Sequence, residues 1–406
     1  MTTELSNFAA RLLPLLRDTT RQAQDNEFNE LALELFALQF QHNAAYRKIC
    51  EARLPRRSEA KAGGLTPEVV EHWTQIPTVP TAAFKELDLT CLAPGKRTAV
   101  FHSSGTTEQK PSRHYHSAES LKVYEASLLS WFLKNVLQNC GLRIADCGLV
   151  ILTPPSEQSP HSSLVHMFET VRQKLGGASI SASRAFVGDI AGDGSWTLDF
   201  DVVLNTLHEA VEQKRPLLLL GTAFSFVHLL DYLAENNLHF QLPKDSRVME
   251  TGGYKNRSRS MPKTELHQLI TERLGIPSFH IICEYGMSEL SSQAYDGVAS
   301  DGWRVTSKDS LPRHSTLDTR HFLFPPWTQL QIISPETGHE VAEGETGLIR
   351  VFDLANVFSV MAIQTEDLGI RRGNGFELIG RAALAEPRGC SLMSHSALRT
   401  PHSTIP

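Results

Sequence analysis

The sequence predicts an α/β fold in which parallel strands alternate with helices and a β-rich subdomain follows. Three observations carry this. Between Thr98 and Glu250 the chain repeats strand, turn and helix patterns, the alternation that builds a parallel sheet flanked by helices. Leu217 to Leu220 is an uninterrupted apolar run, as expected for a strand covered on both faces. Beyond Ser300 helical periods fade and short alternating strands take over, at Gln329–Ile333, Gly347–Phe352, Ser359–Gln364 and Gly375–Ile379. A chain of 406 residues can bury an ample core and exceeds one simple domain. The reading divides it into residues 1–300, 301–381 and a tail, 382–406.

Taken in order, Leu5, Phe8, Ala9, Leu12, Leu13 and Leu16 recur at helical spacing. Phe28, Leu31, Leu35, Leu38 and Phe40 start a second helix expected to reach about Cys50. Gly63 and Gly64 break that pattern, and Pro67, Pro77 and Pro80 introduce VPTAAFKELDL as turn, extended segment and short helix. Helices are expected over Ala118–Val136, Ser163–Leu175, Val202–Gln213 and Phe224–Asn236. The intervening strands are expected at Gly148–Leu152, Pro216–Leu220 and Arg247–Glu250.

Composition narrows the function. The net charge of -6 gives no electrostatic case for nucleic acid or an anionic membrane. Six cysteines (Cys50, Cys91, Cys140, Cys147, Cys283 and Cys390) include no CxxC pair, so a structural zinc site is not expected and reduced thiols in the cytoplasm are. No export signal and no membrane span are read, because the N-terminus lacks a basic region followed by an apolar core.

The chemistry gathers at turns that follow strands. In FHSSGTTEQKPSRHYHS, Phe101 to Ser117, the residues Ser103, Ser104, Thr106, Thr107 and Ser112 supply hydroxyls, Gly105 permits close backbone approach, and Lys110 and Arg113 supply positive charge. The stretch follows an apolar run and precedes a helix, the usual place for a phosphate. It is not a kinase-type P-loop, since the second glycine and the Lys-Ser/Thr pair are missing. Two further turns, Met249 to Lys255 and Glu284 to Glu289, stand where ligands of open α/β sheets collect.

With QTEDLGIRRGNGFELIGR, these stretches stand in an order that resembles the adenylate-forming superfamily of acyl-CoA synthetases and luciferase-type ligases. Within it the sequence is most similar to the LuxE-type acyl-protein synthetases, from FNELALELFALQFQHNAAY through VPTAAFK and METGGYKNRSR to RGCSL. Phenylacetate-CoA ligase and coenzyme F390 synthetase resemble it more distantly. The resemblance implies the large N-terminal domain of that superfamily, with ATP and Mg2+ as cofactors. Ser103 to Lys110 would hold the β and γ phosphates. Gly252, Gly253 and Tyr254 would border the adenine and the acyl pocket, and Tyr285, followed by Gly286, would stack on adenine. Ser288 would bond the α phosphate, Glu289 would ligate magnesium, and Asp367 would accept the ribose hydroxyls with Arg381 close by.

These roles suit the residue types. A carboxylate attacking the α phosphorus meets an anion, so the charge must first be neutralised, and each oxygen of an acidic side chain can accept one hydroxyl of a ribose diol. Two departures stand out. Glu108 replaces a glycine usual in the phosphate loop. Only 25 residues follow Arg381, so the mobile lid domain and its lysine are expected to be absent; Lys110, Arg113, Lys255, Arg257 and Arg259 are the candidate substitutes. Those 25 residues include Arg388-Gly389-Cys390, an expected thiolate nucleophile since a nearby arginine can depress a thiol's pKa, and the family's C-terminal acyl-carrying cysteine matches Cys390. His102, His114, His116 and His166 lie near the site without an assigned role.

The sequence is therefore read as an acyl-protein synthetase: a carboxylic, expectedly fatty, acid becomes an acyl-adenylate and then a thioester on Cys390, for delivery to an acyl reductase or another acceptor protein. Two competing readings are transfer to free coenzyme A or an amine, and a nucleotide-binding scaffold subunit of a reductase complex.

Overall fold

The computed structural model describes residues 3–20, 25–53, 65–103, 110–137, 147–176, 185–192, 194–252, 261–296 and 320–382. Their packing separates two units, one drawn from residues up to 100, 112–136 and 282–382, the other from 101–111 and 137–281. The expected boundary near Ser300 and the tail from 383 lie outside the described residues.

The second unit carries the predicted parallel sheet. Strand Leu217–Thr222 lies between Gly148–Ile151 and Arg247–Thr251, parallel to both. Leu217 to Leu220 are each at most 2% exposed, and burying each such side chain contributes on the order of 2 kcal/mol. Helices Phe200–Glu212, Ala223–Glu235 and Lys263–Leu274 cover the sheet through Leu207, Phe226, Leu230, Leu266 and Ile270. Asp199 and Thr222 cap the first two by accepting from Val202 N–H and Ser225 N–H. The third helix lacks a strong apolar stripe in sequence and was not among the expected elements; Leu266, Ile270 and Leu274 anchor it.

The first unit holds the N-terminal helices and the β-rich part. Strand Ala362–Arg372 pairs antiparallel with Thr346–Asp353 and with Gly375–Arg381, and parallel with the short Val79–Pro80; Thr328–Ile333 completes the sheet beside Thr346–Asp353. Helix Ala118–Phe132, capped by Ser117, and the antiparallel pair Ile281–Tyr285 and Ala294–Tyr295 belong to the same unit, apart from Ile281 itself.

Three local expectations are corrected. The helix expected from Phe28 to Cys50 is two, Asp25–His42 and Ala44–Ala52. Asn43 separates them: its backbone is extended, and its side chain accepts from Tyr46 N–H at 3.0 Å while donating to the Ser359 carbonyl at 3.4 Å. The phosphate-type loop does not run directly into a helix, because strand Arg113–His116 intervenes. The strand expected over Ser359–Gln364 starts at Ala362 and runs on to Arg372; the residues before it form a buried loop whose backbone groups are held partly by side chains and partly by scattered backbone bonds.

Asn43 is fully buried, and loss of a cap of this kind costs about 1–2 kcal/mol. Asn43→Ala should therefore lower the urea midpoint of unfolding by a corresponding amount. An unchanged midpoint would show that the helix break does not depend on this side chain.

Candidate active site

The turn after strand Ile281–Tyr285 brings together most of the described candidate residues of the first unit. It starts at Gly286, where a Cβ would press on the Glu284 carboxylate and oblige that side chain to move. Tyr285, 7% exposed, packs against Phe322, Phe324 and Phe376, the last at 5.2 Å between ring centres and nearly perpendicular. Its hydroxyl donates to Asp367 at 2.9 Å. Asp367 lies opposite Arg381 across the two adjoining strands, and the guanidinium stands 3.4 Å from its other oxygen while pairing with Glu366 at 2.6 Å. Tyr285, Asp367 and Arg381 thus form one hydrogen-bonded, charge-paired group.

Ser288 and Glu289 follow, both buried. The Ser288 hydroxyl donates to Glu289 Oε2 at 3.1 Å and lies 3.4 Å from the Ser112 hydroxyl. His114, one strand position beyond Arg113, donates from Nδ1 to the Ser288 carbonyl at 2.8 Å. Burial holds the His114 pKa below the usual imidazole value, opposed by that hydrogen bond and by the Glu289 charge. The imidazole is therefore neutral at pH 7.

Behind the turn lies a polar core. The Asp353 carboxylate is fully buried and accepts from the backbone N–H groups of Ser291, Ser292 and Ala355, at 2.9, 2.8 and 3.0 Å, and from the Ser292 hydroxyl at 2.8 Å. Burial raises its pKa and these donors oppose the rise. Ser292 also accepts from Trp327 Nε1 at 3.1 Å and meets Ser127 of helix Ala118–Phe132 at 2.9 Å. Asn356 donates to the carbonyls of Glu289 and Val360, at 2.9 and 3.1 Å, and accepts from the Ser291 hydroxyl at 2.6 Å. Its own carbonyl accepts from Gln39 at 2.7 Å. Sequence reasoning passed over Gln39, Asp353 and Asn356; the available signal for the last two was the polar Asp353, Asn356 and Ser359 inside the otherwise apolar DLANVFSV.

Arg113 is already engaged: it pairs with Asp88 at 3.2 Å and lies over the Tyr115 ring. Asp88 also takes Arg97 at 2.7 Å, and chiefly that bond holds its carboxyl below the usual range. In the second unit Ser103 is half-buried and Lys110 exposed, whereas Ser104, Gly105, Thr106, Thr107 and Glu108 fall outside the described residues. Gly252 ends strand Arg247–Thr251 with φ +101°, a backbone conformation that requires glycine. Preceding it, the buried Glu250 is met by His267 Nε2 at 3.1 Å. Gly253, Tyr254, Lys255, Arg257, Arg259 and Cys390 lie outside the described residues.

Among the described residues no group of three or more His, Cys, Asp or Glu side chains gathers as a metal site. Glu289 with the Ser288 and Ser112 hydroxyls offers hard oxygen donors, which fit Mg2+ bound by one carboxylate with phosphate and water completing its shell. The four described cysteines are free thiols. Burial pushes Cys50 and Cys91 up to about 12, so both stay protonated and unreactive at neutral pH. No described helix is long and apolar enough to cross a membrane.

A family model described as Acyl-protein synthetase, LuxE, matches residues 14–399. A Vibrio harveyi protein described as long-chain-fatty-acid–luciferin-component ligase is 22% identical over 392 residues, covering 93% of this chain and 89% of that protein. The Aliivibrio fischeri protein of the same description is 26% identical over 207 residues, 48% of this chain and 49% of that one, so this match spans about half of each. Among solved structures, an open conformation of 2-hydroxyisobutyryl-CoA ligase in complex with 2-HIB-AMP and CoA superposes with a TM-score of 0.58 at 12% identity, covering 88% of this chain and 69% of that one. That likeness establishes the adenylate-forming fold.

The neutral state of His114 has a pH consequence. Its folded pKa lies below its ordinary value, so its contribution to stability is fully present above about pH 6.5 and is lost as pH falls and the unfolded chain takes up the proton first. Replacing it by His114→Gln should flatten the fall in urea midpoint between pH 7.5 and 5. An identical slope in the variant would show that His114 does not contribute to it.

Proposed function

The chain belongs to the LuxE acyl-protein synthetase family, a family of ligases, and from that premise we propose that it activates a carboxylic acid with MgATP and passes the acyl group to its own Cys390. The names of the Vibrio and Aliivibrio relatives point to a long-chain fatty acid as substrate. The single observation that carries the reading is the turn after strand Ile281–Tyr285. There an aromatic ring joined to Asp367 and Arg381 stands three and four residues ahead of a buried hydroxyl and carboxylate.

In the proposed roles Tyr285, fixed by three phenylalanines, stacks on adenine, and Gly252, Gly253 and Tyr254 border the adenine and acyl pocket. Asp367 accepts the ribose hydroxyls, for which its hydrogen bond from Tyr285 and its pairing with Arg381 preset the carboxylate. Ser288 donates to the α phosphate. Glu289 holds Mg2+, which when bound neutralises phosphate charge. The loop Ser103 to Lys110 takes the β and γ phosphates. Lys110 and Arg113 are the loop cations proposed to offset phosphate charge, Arg113 from its pair with Asp88.

The chemistry balances in two steps. A carboxylate oxygen of the acid bonds to the α phosphorus as the bond to the β-phosphate bridge breaks, and pyrophosphate leaves with that electron pair. The Cys390 thiolate then bonds to the acyl carbon, and AMP leaves as the carbon–oxygen bond breaks. Arg388 beside Cys390 favours the thiolate. The thioester goes on to an acceptor, for which an acyl reductase is the proposed partner. The cytoplasm is the proposed setting, where reducing conditions keep the thiol available.

Cys390→Ser separates the two steps. The variant should retain acid-dependent exchange of pyrophosphate into ATP while losing the hydroxylamine-labile mass adduct that the unmodified protein acquires with ATP and a long-chain fatty acid. A labile adduct that persists in the variant would remove Cys390 from the role. Absence of exchange with every acid of a fatty and aromatic panel, despite measurable ATP binding, would overturn the synthetase reading.

A further inference from the structure

The Glu289 turn is held through its backbone on several sides. The Ser288 carbonyl accepts from His114 at 2.8 Å, the Glu289 carbonyl accepts from Asn356 at 2.9 Å, and the Ser291 and Ser292 amides donate to Asp353. Asn356 differs from the other holders in bracketing Glu289. Its Nδ2 takes the residue's own carbonyl and its Oδ1 takes the Ser291 hydroxyl, two residues on. With Ser291 3% exposed and Asn356 1% exposed, water does not compete for these bonds, and each keeps close to its full directional effect. The side chain amide cannot turn over: Val360 supplies a second carbonyl for Nδ2, and reversal would bring the carboxamide oxygen against two carbonyl oxygens. Gln39 fixes the Asn356 backbone from helix Asp25–His42, donating to its carbonyl and to that of Val357 and accepting from Met361 N–H at 3.0 Å.

We propose that Asn356 is a positioning residue for the metal-binding function of Glu289, setting the carboxylate's place by bracketing its backbone, with Gln39 as the anchor behind it. The inference rests on the reading of Glu289 as the Mg2+ ligand. A carboxylate that supplies one oxygen to Mg2+, a cation that tolerates little departure from octahedral geometry, loses its value when displaced by a fraction of an ångström. Partners one step behind a metal ligand typically matter by about 10–100-fold in metal affinity. Asn356→Asp keeps the shape but replaces the two donated hydrogens with a carboxylate oxygen facing two carbonyls, and so releases the bracket without opening a cavity.

The test compares, by calorimetry on the full chain, the dissociation constant of ATP in excess Mg2+ with that of ATP in EDTA. The ratio of the two reports the metal's share of binding, and it does not depend on turnover. Asn356→Asp is expected to weaken MgATP binding by roughly ten-fold and to leave metal-free ATP binding unchanged. Ser291→Ala should shift the ratio in the same direction by less. It carries the test if Asn356→Asp does not fold. Glu289→Gln should collapse the ratio, and adding Asn356→Asp to it should produce no further change. Thr328→Val, which meets the same buried Asp353 without touching Glu289, should keep the unmodified ratio. A ratio that moves with Glu289→Gln but with neither Asn356→Asp nor Ser291→Ala overturns the positioning role alone. Equal weakening of both ATP forms by Asn356→Asp overturns it as well, since a general structural effect would do that. A ratio untouched by Glu289→Gln overturns the metal reading of Glu289 and the inference with it.

Discussion

The first unit depends on a buried anion that is solvated by its own chain. Asp353 has no exposure, and the contacts that compensate its burial are the amides of Ser291, Ser292 and Ala355 and the hydroxyls of Ser292 and, more distantly, Thr328. Removing a carboxylate from water costs several kcal/mol unless such donors replace the solvent. Satisfying Asp353 therefore obliges the turn after Tyr285 to adopt one backbone path, and that path fixes where Ser288 and Glu289 emerge. The same requirement reaches outward through Ser292 to Trp327 and Ser127, joining the β-rich sheet to helix Ala118–Phe132.

The buried loop after Asp353 shows how the N-terminal helices enter this arrangement. Residues Leu354 to Met361 are nearly inaccessible, yet most of their backbone groups cannot pair within a sheet. They find partners elsewhere: Gln39 takes Asn356, Val357 and Met361, Asn43 takes Ser359, and Thr90 and Cys91 take Phe358. The extended backbone at Asn43 lets one side chain serve both the Tyr46 amide and the Ser359 carbonyl, so the helix break and the buried loop are coupled.

Much of the architecture was legible because burial on both faces leaves a one-dimensional trace. Leu217–Leu220 reads as a covered strand without further context, and helix Ala118–Phe132 announces itself by Ser117 and its apolar period. The turn carrying Tyr285, Ser288 and Glu289 was singled out because polar residues follow a strand end, and the structure places the three at the end of strand Ile281–Tyr285 and on the turn after it. Gln39, Asp353 and Asn356 were not. Beside local bonds, each has partners 61 to 322 residues away, and nothing in local spacing encodes a hydrogen bond across such a distance. Asn43 failed in the same way: its neighbours favour helix, and tertiary demand overrides them. Helix Lys263–Leu274 was missed because its charged residues blur the apolar stripe that Leu266, Ile270 and Leu274 form.

The cysteines complete the physical picture of what the folded units can and cannot supply. An acyl-adenylate needs a thiolate, and a thiolate is disfavoured wherever water is excluded. Cys50 sits beside Tyr46 in the N-terminal helices, and its thiol is held up to about 12 by burial, as is that of Cys91. Cys147 and Cys283 are buried within or beside strands. Burial therefore silences the Cys50 and Cys91 thiols. Of the two remaining cysteines, Cys140 has no cation within two residues in sequence, whereas Cys390 follows Arg388 by two. A nearby cation is one of the means by which a thiol pKa is lowered. The proposal of Cys390 as acyl carrier agrees with this constraint, because it does not call on the Cys50 or Cys91 thiols that burial keeps protonated.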